Sequence, residues 1–526
     1  MTKAGQGATP ERELKFIANR KTFKTALTLP LLGEATEGGA GRRLKSVYFD
    51  TDAGDLIRHG LTLRVRRTKG VYVMGLKTAA ESDQGIFERG ESEVKLPSAE
   101  PDLTLFDEAV AREIRKIAGG KALAPKFGSN IRRSTRTVEI AGTAIEVALD
   151  SGFLFAGERR EPTHEIELEL KSGEPAALFE FGLALVDALP VTLGFRSKAE
   201  RAAQLLLPGP PPVRATPPAF TAQTPMDEAI GAVLRNCLSQ FIGNLPALES
   251  SDAIEPVHQM RVSMRRLRSA LGLFNRLFPC TEFEALRAES RRIGAVLGEA
   301  RDWDVFVEMI RSGPLARFRD APGFDKLLNA AQTRADAGHT AVSLMANDKA
   351  TTRFALSLEH FVARRGWRNG VPEDHLLWLA EPVAGFAARS LDRLHRKLRK
   401  RGRHFGSLTP EARHALRIKL KQMRYATEFF GRLFHPSSAA ERYGHRAAGL
   451  QDLLGQVNDA TIGLRLMKEL DFGADAEFAY AAGVAAGWCG HSSLGDKPAL
   501  REAWRPILRA DRYWRRDPEK RGLKSV

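Results

Sequence analysis

Cysteine is scarce: the 526 residues hold three, Cys237, Cys280 and Cys489, none at metal-ligand spacing. This excludes a disulfide framework and a thiolate metal site, and it fits a reducing compartment. All three are expected to be small buried apolar residues. Long apolar runs are missing as well. None approaches the roughly 18 residues of a membrane span, and MTKAGQGATPERELK lacks the apolar core of a signal peptide. A cytoplasmic, soluble protein with no membrane partner is therefore expected. Aromatic residues are only 8% of the chain and rarely interleave with basic runs, which disfavours stacking on single-stranded nucleic acid. Gly-rich pieces such as EGGAGR lack the Gly-Lys-Ser/Thr ending of a P-loop, and no Ser-His-Asp or Cys-His arrangement is evident. Acidic residues are in deficit, 64 Asp and Glu against 80 Lys and Arg, a formal net charge of +16. An anionic partner follows: nucleic acid, a phosphate polymer or an acidic surface.

The excess charge is uneven. Residues 225–526 carry 48 basic against 35 acidic side chains, and the first 224 carry 32 against 29. Patterning divides at the same place. RLKSVYFDT, LTLRVRRT, VYVMGLKT, FERGESEVKL, TAIEVALD and HEIELELK read as strands, interrupted by helical patches FDEAVAREIRKIA and ALFEFGLALVDAL. A Pro-rich extended linker spans 209–225. Beyond Pro225 strand signals nearly vanish and helical spacing dominates. The expected domains are 1–208, then 226–516, with a tail at 517–526.

Charge recurs on alternate positions of the strands, which share a face. Glu11, Glu13 and Lys15 lie on one face. Arg64 and Arg66 do likewise, as do Glu91 with Glu93 and Glu146 with Asp150. Glu165, Glu167 and Glu169 alternate with Ile166, Leu168 and Leu170, and Lys77 ends VYVMGLKT. One apolar face and one face of mixed charge suit a barrel with a charged interior. Acidic rows could hold Mg²⁺ or Mn²⁺ through oxygen, and basic rows could neutralise a triphosphate.

ERELK, YFDT at Tyr48–Thr51, LTLRVRR, LKT at Leu76–Thr78, FERGESEV, EIELEL and FRSKAER at Phe195–Arg201, in this order, resemble the CYTH domain, the triphosphate tunnel metalloenzyme fold. The resemblance implies an α+β domain with an eight-stranded antiparallel β tunnel and flanking helices. It assigns Glu11, Glu13, Glu93, Asp150, Glu167 and Glu169 to the acidic, metal-binding set. Lys15, Arg64, Arg66, Lys77, Arg133 and Lys198 are assigned to the triphosphate, and Glu13, Lys15, Glu167 and Glu169 to catalysis. Arg132, adjacent to Arg133, is the competing position. Asn130 stands where a basic residue is expected, and Glu165, at the strand end, reads as solvated. The implied chemistry is metal-dependent hydrolysis of inorganic triphosphate.

The helical part repeats. His258, Arg261, Arg265 and Arg268 recur as His414, Arg417, Lys421 and Arg424, 156 positions on, and LGEARD at Leu297–Asp302 is answered by LGQVND at Leu454–Asp459. Spacings of three and four put each set on one helical stripe, with Arg266 and Lys419 off it and peripheral. An all-α domain of two similar bundles, about 226–370 and 380–516, is expected. These residues resemble the CHAD domain, which implies binding of inorganic polyphosphate and an association with polyphosphate granules. Arg393, Arg396, Lys397, Lys400 and Arg403 would extend that surface. Other readings stay open at this point: a tunnel acting on thiamine triphosphate, an RNA 5′ triphosphate or ATP by cyclisation, a non-catalytic polyphosphate scaffold, and a nucleic-acid binder, which is not favoured.

Overall fold

A computed structural model describes residues 11–34, 41–68, 70–78, 88–89, 91–249, 253–435 and 437–515. The strands are β1 Glu11–Ile17, β2 Arg42–Asp50, β3 Leu61–Thr68, β4 Val71–Thr78, β5 Glu88–Arg89, β6 Glu91–Leu96, β7 Ala124–Ile140, β8 Thr143–Ala156, β9 Arg159–Ser172 and β10 Thr192–Leu193. They form one antiparallel sheet in the order β10-β1-β9-β8-β7-β2-β3-β4-β6. The short β5 pairs with β1 while β6, one residue further on, pairs with β4. Because β5 and β6 are close in the chain, these pairings bring β1 and the β4–β6 side of the sheet together.

Among the strands lie helices α1 Arg20–Ala26, α2 Asp55–Arg58, α3 Glu108–Ala118, α4 Pro175–Ala188 and α5 Lys198–Ala203. They take up the apolar outer faces of the strands. Leu56 of α2 and Ile114 of α3 share a core with Leu63, Val65, Met74 and Leu76. Gly182 of α4 lets β1 approach closely: a Cβ there would stand 2.7 Å from Leu14 Cδ1. The YFDT motif has a structural explanation. Buried Asp50 accepts the backbone N–H groups of Thr51 (2.7 Å), Leu56 (2.9 Å) and Ile57 (3.0 Å), holding the turn into α2.

The later helices are α6 Met226–Asn244, α7 Ile254–Phe274, α8 Thr281–Arg311, α9 Phe324–Ala346, α10 Lys349–Ala363, α11 Glu373–Ala380, α12 Val383–Arg401, α13 Pro410–Phe430, α14 Ser437–Met467, α15 Ala476–Leu494 and α16 Lys497–Leu508. The repeat shows in the helices that carry its motifs: α7 and α13 have 21 residues each, α8 and α14 have 31 each. The two halves share a core in which Trp303, Phe306 and Leu327 pack with Leu466, Ala485 and Cys489.

The chain forms two compact units. The first takes the described residues up to Val213, from Ile242 to Glu249 and from Ala346 to Arg364; the second takes the rest. Helix α10 thus packs with the strand-rich part, where Thr352 Oγ1 accepts from the Leu193 N–H (3.2 Å). The Pro-rich segment has no helix or strand from residue 208 to 220. Asn244 pins it through both backbone groups of Val213 (3.0 and 2.8 Å). Cys237 and Cys489 are buried as expected, but Cys280 is half-exposed, because it occupies the N-cap position of α8 rather than a core face. No helix among the described residues is long and apolar enough to cross a membrane. The expected tail at 517–526 lies outside the described residues.

Candidate active site

Eight strands turn one face inward around a cavity of about 410 Å³. Glu13, Lys15, Arg64, Arg66, Lys77, Glu93, Arg133, Asp150, Glu167, Glu169 and Lys198 all line it. Glu11 opens β1, but its side chain, like that of Glu91, lies outside the described residues. The competition between neighbouring arginines is resolved by the pleat: Arg133 faces the cavity and Arg132 is exposed. Asn130 shares the outward face with Arg132 and does not line the cavity, so no inward cation is replaced by it.

The charges interlock. Arg133 makes a fork on Asp150 (2.7 and 2.6 Å) and also donates to Glu167. The Lys198 ammonium lies 2.6 Å from Glu167 and 2.8 Å from Asp150. Lys15 reaches Glu13 (3.4 Å) and Glu167 (3.5 Å). Arg64 meets Glu93 (2.7 Å) beside Gly75, where a Cβ would stand 3.3 Å from the Arg64 guanidinium. Burial pushes Glu167 toward its neutral form, but Lys198, Arg133 and Lys15 outweigh it and hold the carboxyl well below its usual range. The same contest leaves Asp150 lowered: burial opposes, Lys198 and Arg133 prevail. Arg66 differs. Its Nε donates to Ser46 (3.2 Å), and burial together with Arg64 and Arg133 pushes it down to about 10. A buried guanidinium opposed by cations is a place for an anion.

Among the described residues no three His, Cys, Asp or Glu side chains are already arranged around a metal position. The carboxylates are engaged by cations instead. The donor set still suits a hard divalent cation, since every candidate ligand is oxygen. Glu13, Glu169 and Glu146 are also direct neighbours across β1, β9 and β8, a spacing of about 5 Å between Cβ atoms.

Two charged cavity residues went unassigned from the sequence. Glu146 was visible on the Asp150 face. Lys171 continues the Glu165, Glu167, Glu169 alternation by one step; its ammonium lies 2.6 Å from Glu169 and 3.9 Å from Glu146. The solvated reading of Glu165 is wrong. It is fully buried, because helix α5 covers that end of the strand and brings Lys198 and Arg201, each 2.6 Å away.

In the helical unit α7 and α13 pack together and bring their stripes face to face. Burial, Arg261, Arg417 and Arg268 push Arg265 down to about 10. Burial, Arg265, Arg417 and Arg261 push Lys421 down to about 6, with Asp459 opposing. Burial, Arg291, Arg261 and Arg287 lower Arg268. Carboxylates hold two members: Arg261 pairs with Asp302 (3.0 Å) and Arg424 with Glu428 (3.0 Å). Arg265, Arg268 and Lys421 have no carboxylate at ion-pair distance among the described residues, and Arg417 Nε is buried without a hydrogen-bond partner. His258 borders the set beside Arg301, and His414 is exposed. Arg266 is not peripheral. It is fully buried and donates to Gln240 (2.7 Å), Asn236 (2.8 Å) and the Thr216 carbonyl (3.2 Å). Lys419 is partly exposed and donates to Gln422 (2.9 Å). Burial, Lys397 and Arg401 lower it, and Arg393 is lowered by burial, Arg276, Arg396 and Arg389, so α12 adds further crowded cations.

The CYTH domain model matches residues 9–202 and the CHAD domain model residues 232–468. An inorganic triphosphatase of Haemophilus influenzae is 30% identical over 158 residues, 30% of this chain and 44% of that protein, so the match spans less than half of that relative. An uncharacterized protein of Mycobacterium tuberculosis is 25% identical over 457 residues, 80% of this chain and 81% of that one. The crystal structure of the CHAD domain from the plant Ricinus communis is 31% identical and covers 56% of this chain and 96% of that chain, with a TM-score of 0.49.

Proposed function

For a chain that carries a CYTH domain followed by a CHAD domain, we propose metal-dependent hydrolysis of inorganic triphosphate to pyrophosphate and phosphate in the cavity, with inorganic polyphosphate bound by the helical unit. The observation that carries the first reading is the ring of six carboxylates and seven cations around a single cavity. So many fixed charges of both signs suit a ligand pair that is itself an anion and a cation.

Arg64, Arg66 and Arg133 offer planar forks to phosphoryl oxygens, and Lys15, Lys77 and Lys198 offer point charges. As phosphate oxygens take up Lys15, Arg133 and Lys198, Glu167 loses three cationic partners and becomes available as a ligand. Glu11, Glu13, Glu167 and Glu169, with Glu93 and Asp150 further along the wall, would hold Mg²⁺ or Mn²⁺. Such an ion, when bound, offsets phosphate charge and lowers the pKa of an attacking water. Arginine and lysine side chains stabilise the charge that develops on departing pyrophosphate.

Arg265, Arg268 and Lys421, which have no carboxylate at ion-pair distance among the described residues and gather with Arg417, support a polyanion ligand for the helical unit. Sparse aromatic interleaving favours a phosphate chain over RNA.

A substrate panel tests the cavity. Purified protein with Mg²⁺ or Mn²⁺ should release phosphate from triphosphate faster than from ATP, an RNA 5′ triphosphate or thiamine triphosphate. Faster turnover of one of those moves the reading to that substrate, and no turnover of any leaves the scaffold. Competition between long polyphosphate and RNA at fixed salt tests the helical unit.

A further inference from the structure

We propose that Glu165 is a positioning residue of the cavity, acting through Lys198. This rests on the reading of the cavity as a triphosphate site. Glu165 does not line the cavity. It sits on β9 two residues before Glu167, with Asp150 of β8 and Ile17 of β1 as its register partners, and it is fully buried. Its Oε2 lies 2.6 Å from Lys198 Nζ. Its Oε1 accepts from Arg201 Nη1 (2.6 Å) and Thr163 Oγ1 (3.0 Å).

Lys198 and Arg201 are three residues apart on α5 and therefore share a helix face. One carboxylate thus grips both ends of a helical turn. The helix start is fixed independently: Ser197 Oγ accepts the Glu200 N–H (3.2 Å), and Glu200 accepts the Ser197 N–H (2.6 Å). The second arm of Arg201 donates to Glu161 and Thr163 also binds Arg201 (2.9 Å).

Three carboxylates surround the Lys198 ammonium, but they are not equivalent. Asp150 (2.8 Å) and Glu167 (2.6 Å) face the cavity, where an entering phosphate oxygen competes with them for the same cation. Glu165 lies behind the wall and is tethered by Arg201 and Thr163. It stays in place when the other two are challenged and keeps Lys198 aimed at the cavity. An outer partner of this kind typically matters by about 10- to 100-fold in activity.

A double-mutant cycle on the full chain tests this, with two readouts: kcat/KM for triphosphate and calorimetric affinity for a non-hydrolysable imidotriphosphate. Lys198→Met should lower both. Glu165→Gln should lower both by about tenfold or more, and the double variant should be no worse than Lys198→Met alone. If the Glu165→Gln loss persists undiminished in the Lys198→Met background, or if Glu165→Gln is silent while Lys198→Met is impaired, the coupling is wrong and the cavity reading stands. If Lys198→Met leaves turnover and affinity unchanged, both fall. Should Glu165→Gln fail to fold, Arg201→Gln, which loosens Glu165 without removing it, takes its place in the same cycle with the same outcomes.

Discussion

The cavity and the α7–α13 face are both rich in Lys and Arg, yet they are built on opposite rules. In the cavity nearly every cation meets a carboxylate: Arg133 on Asp150, Arg64 on Glu93, Lys198 among three acids. On α7 and α13 cation faces cation: burial and then Arg261 and Arg417 lower Arg265, and burial and then Arg265 and Arg417 lower Lys421. A site of interleaved charge is stable when empty and must exchange partners to bind. A site of like charge is strained when empty and gains counter-charge from its ligand. The first arrangement suits a cation and an anion taken together, the second an anion alone.

The largest expected effect lies in the cavity. Glu13→Ala and Glu167→Ala should each lower triphosphate turnover on the order of 10²-fold or more, the scale of losing a fixed charge in a preorganised site. Steady-state phosphate release measures it, and normal turnover by both variants breaks the assignment. Next comes the helical face. Arg265→Gln should weaken polyphosphate binding and flatten its dependence on log salt by about one unit, since one phosphate contact is lost. Titrations at several salt concentrations read the slope; an unchanged slope removes Arg265 from the contact.

Stability should separate the two regions by sign. Glu167→Ala strips a counter-charge from Lys198, Arg133 and Lys15 and should lower the melting temperature. Lys421→Met removes an amine whose protonation is opposed by burial and by Arg265, Arg417 and Arg261 and should raise it, by a few degrees if about 1 kcal/mol is relieved, while weakening polyphosphate. Equal signs in the two melts would erase the contrast. The smallest effect is in pH. Lys421 at about 6 in the fold lies below its usual value of about 10.4, so between them the unfolded chain binds more protons. Its unfavourable contribution is full below about 6 and is relieved as pH rises toward 10.4. Glu167 and Asp150, held low, stabilise the fold above about pH 4, the usual carboxylate value, and lose that contribution as pH falls through their lowered values. Melts of wild type against Lys421→Met should converge at high pH.

Much of this was legible in the sequence because alternation fixes which face a residue occupies. Glu167, Glu169, Arg64 and Arg66 turn inward as their spacing requires. Depth is another matter: Glu165 obeys the same alternation, but only the return of α5, some 33 residues later, makes it buried instead of wet. Strand β7 was not readable as a strand, since FGSNIRRSTRTVEI lacks regular apolar alternation, and Arg133 came from the family resemblance alone. Helical spacing likewise told that Arg266 leaves the stripe without telling where it goes. It enters the core because Asn236, Gln240 and Thr216 supply acceptors there.

The paired 21-residue helices α7 and α13 carry one further implication. A nucleic acid strand has a 5′ and a 3′ end, and a site that reads it must reject the reversed orientation. Linear polyphosphate is a palindrome at every length. If the helical unit takes polyphosphate as proposed, a surface built from two similar cationic stripes would have little reading direction to defend, and the ligand would slide or turn end for end at small cost.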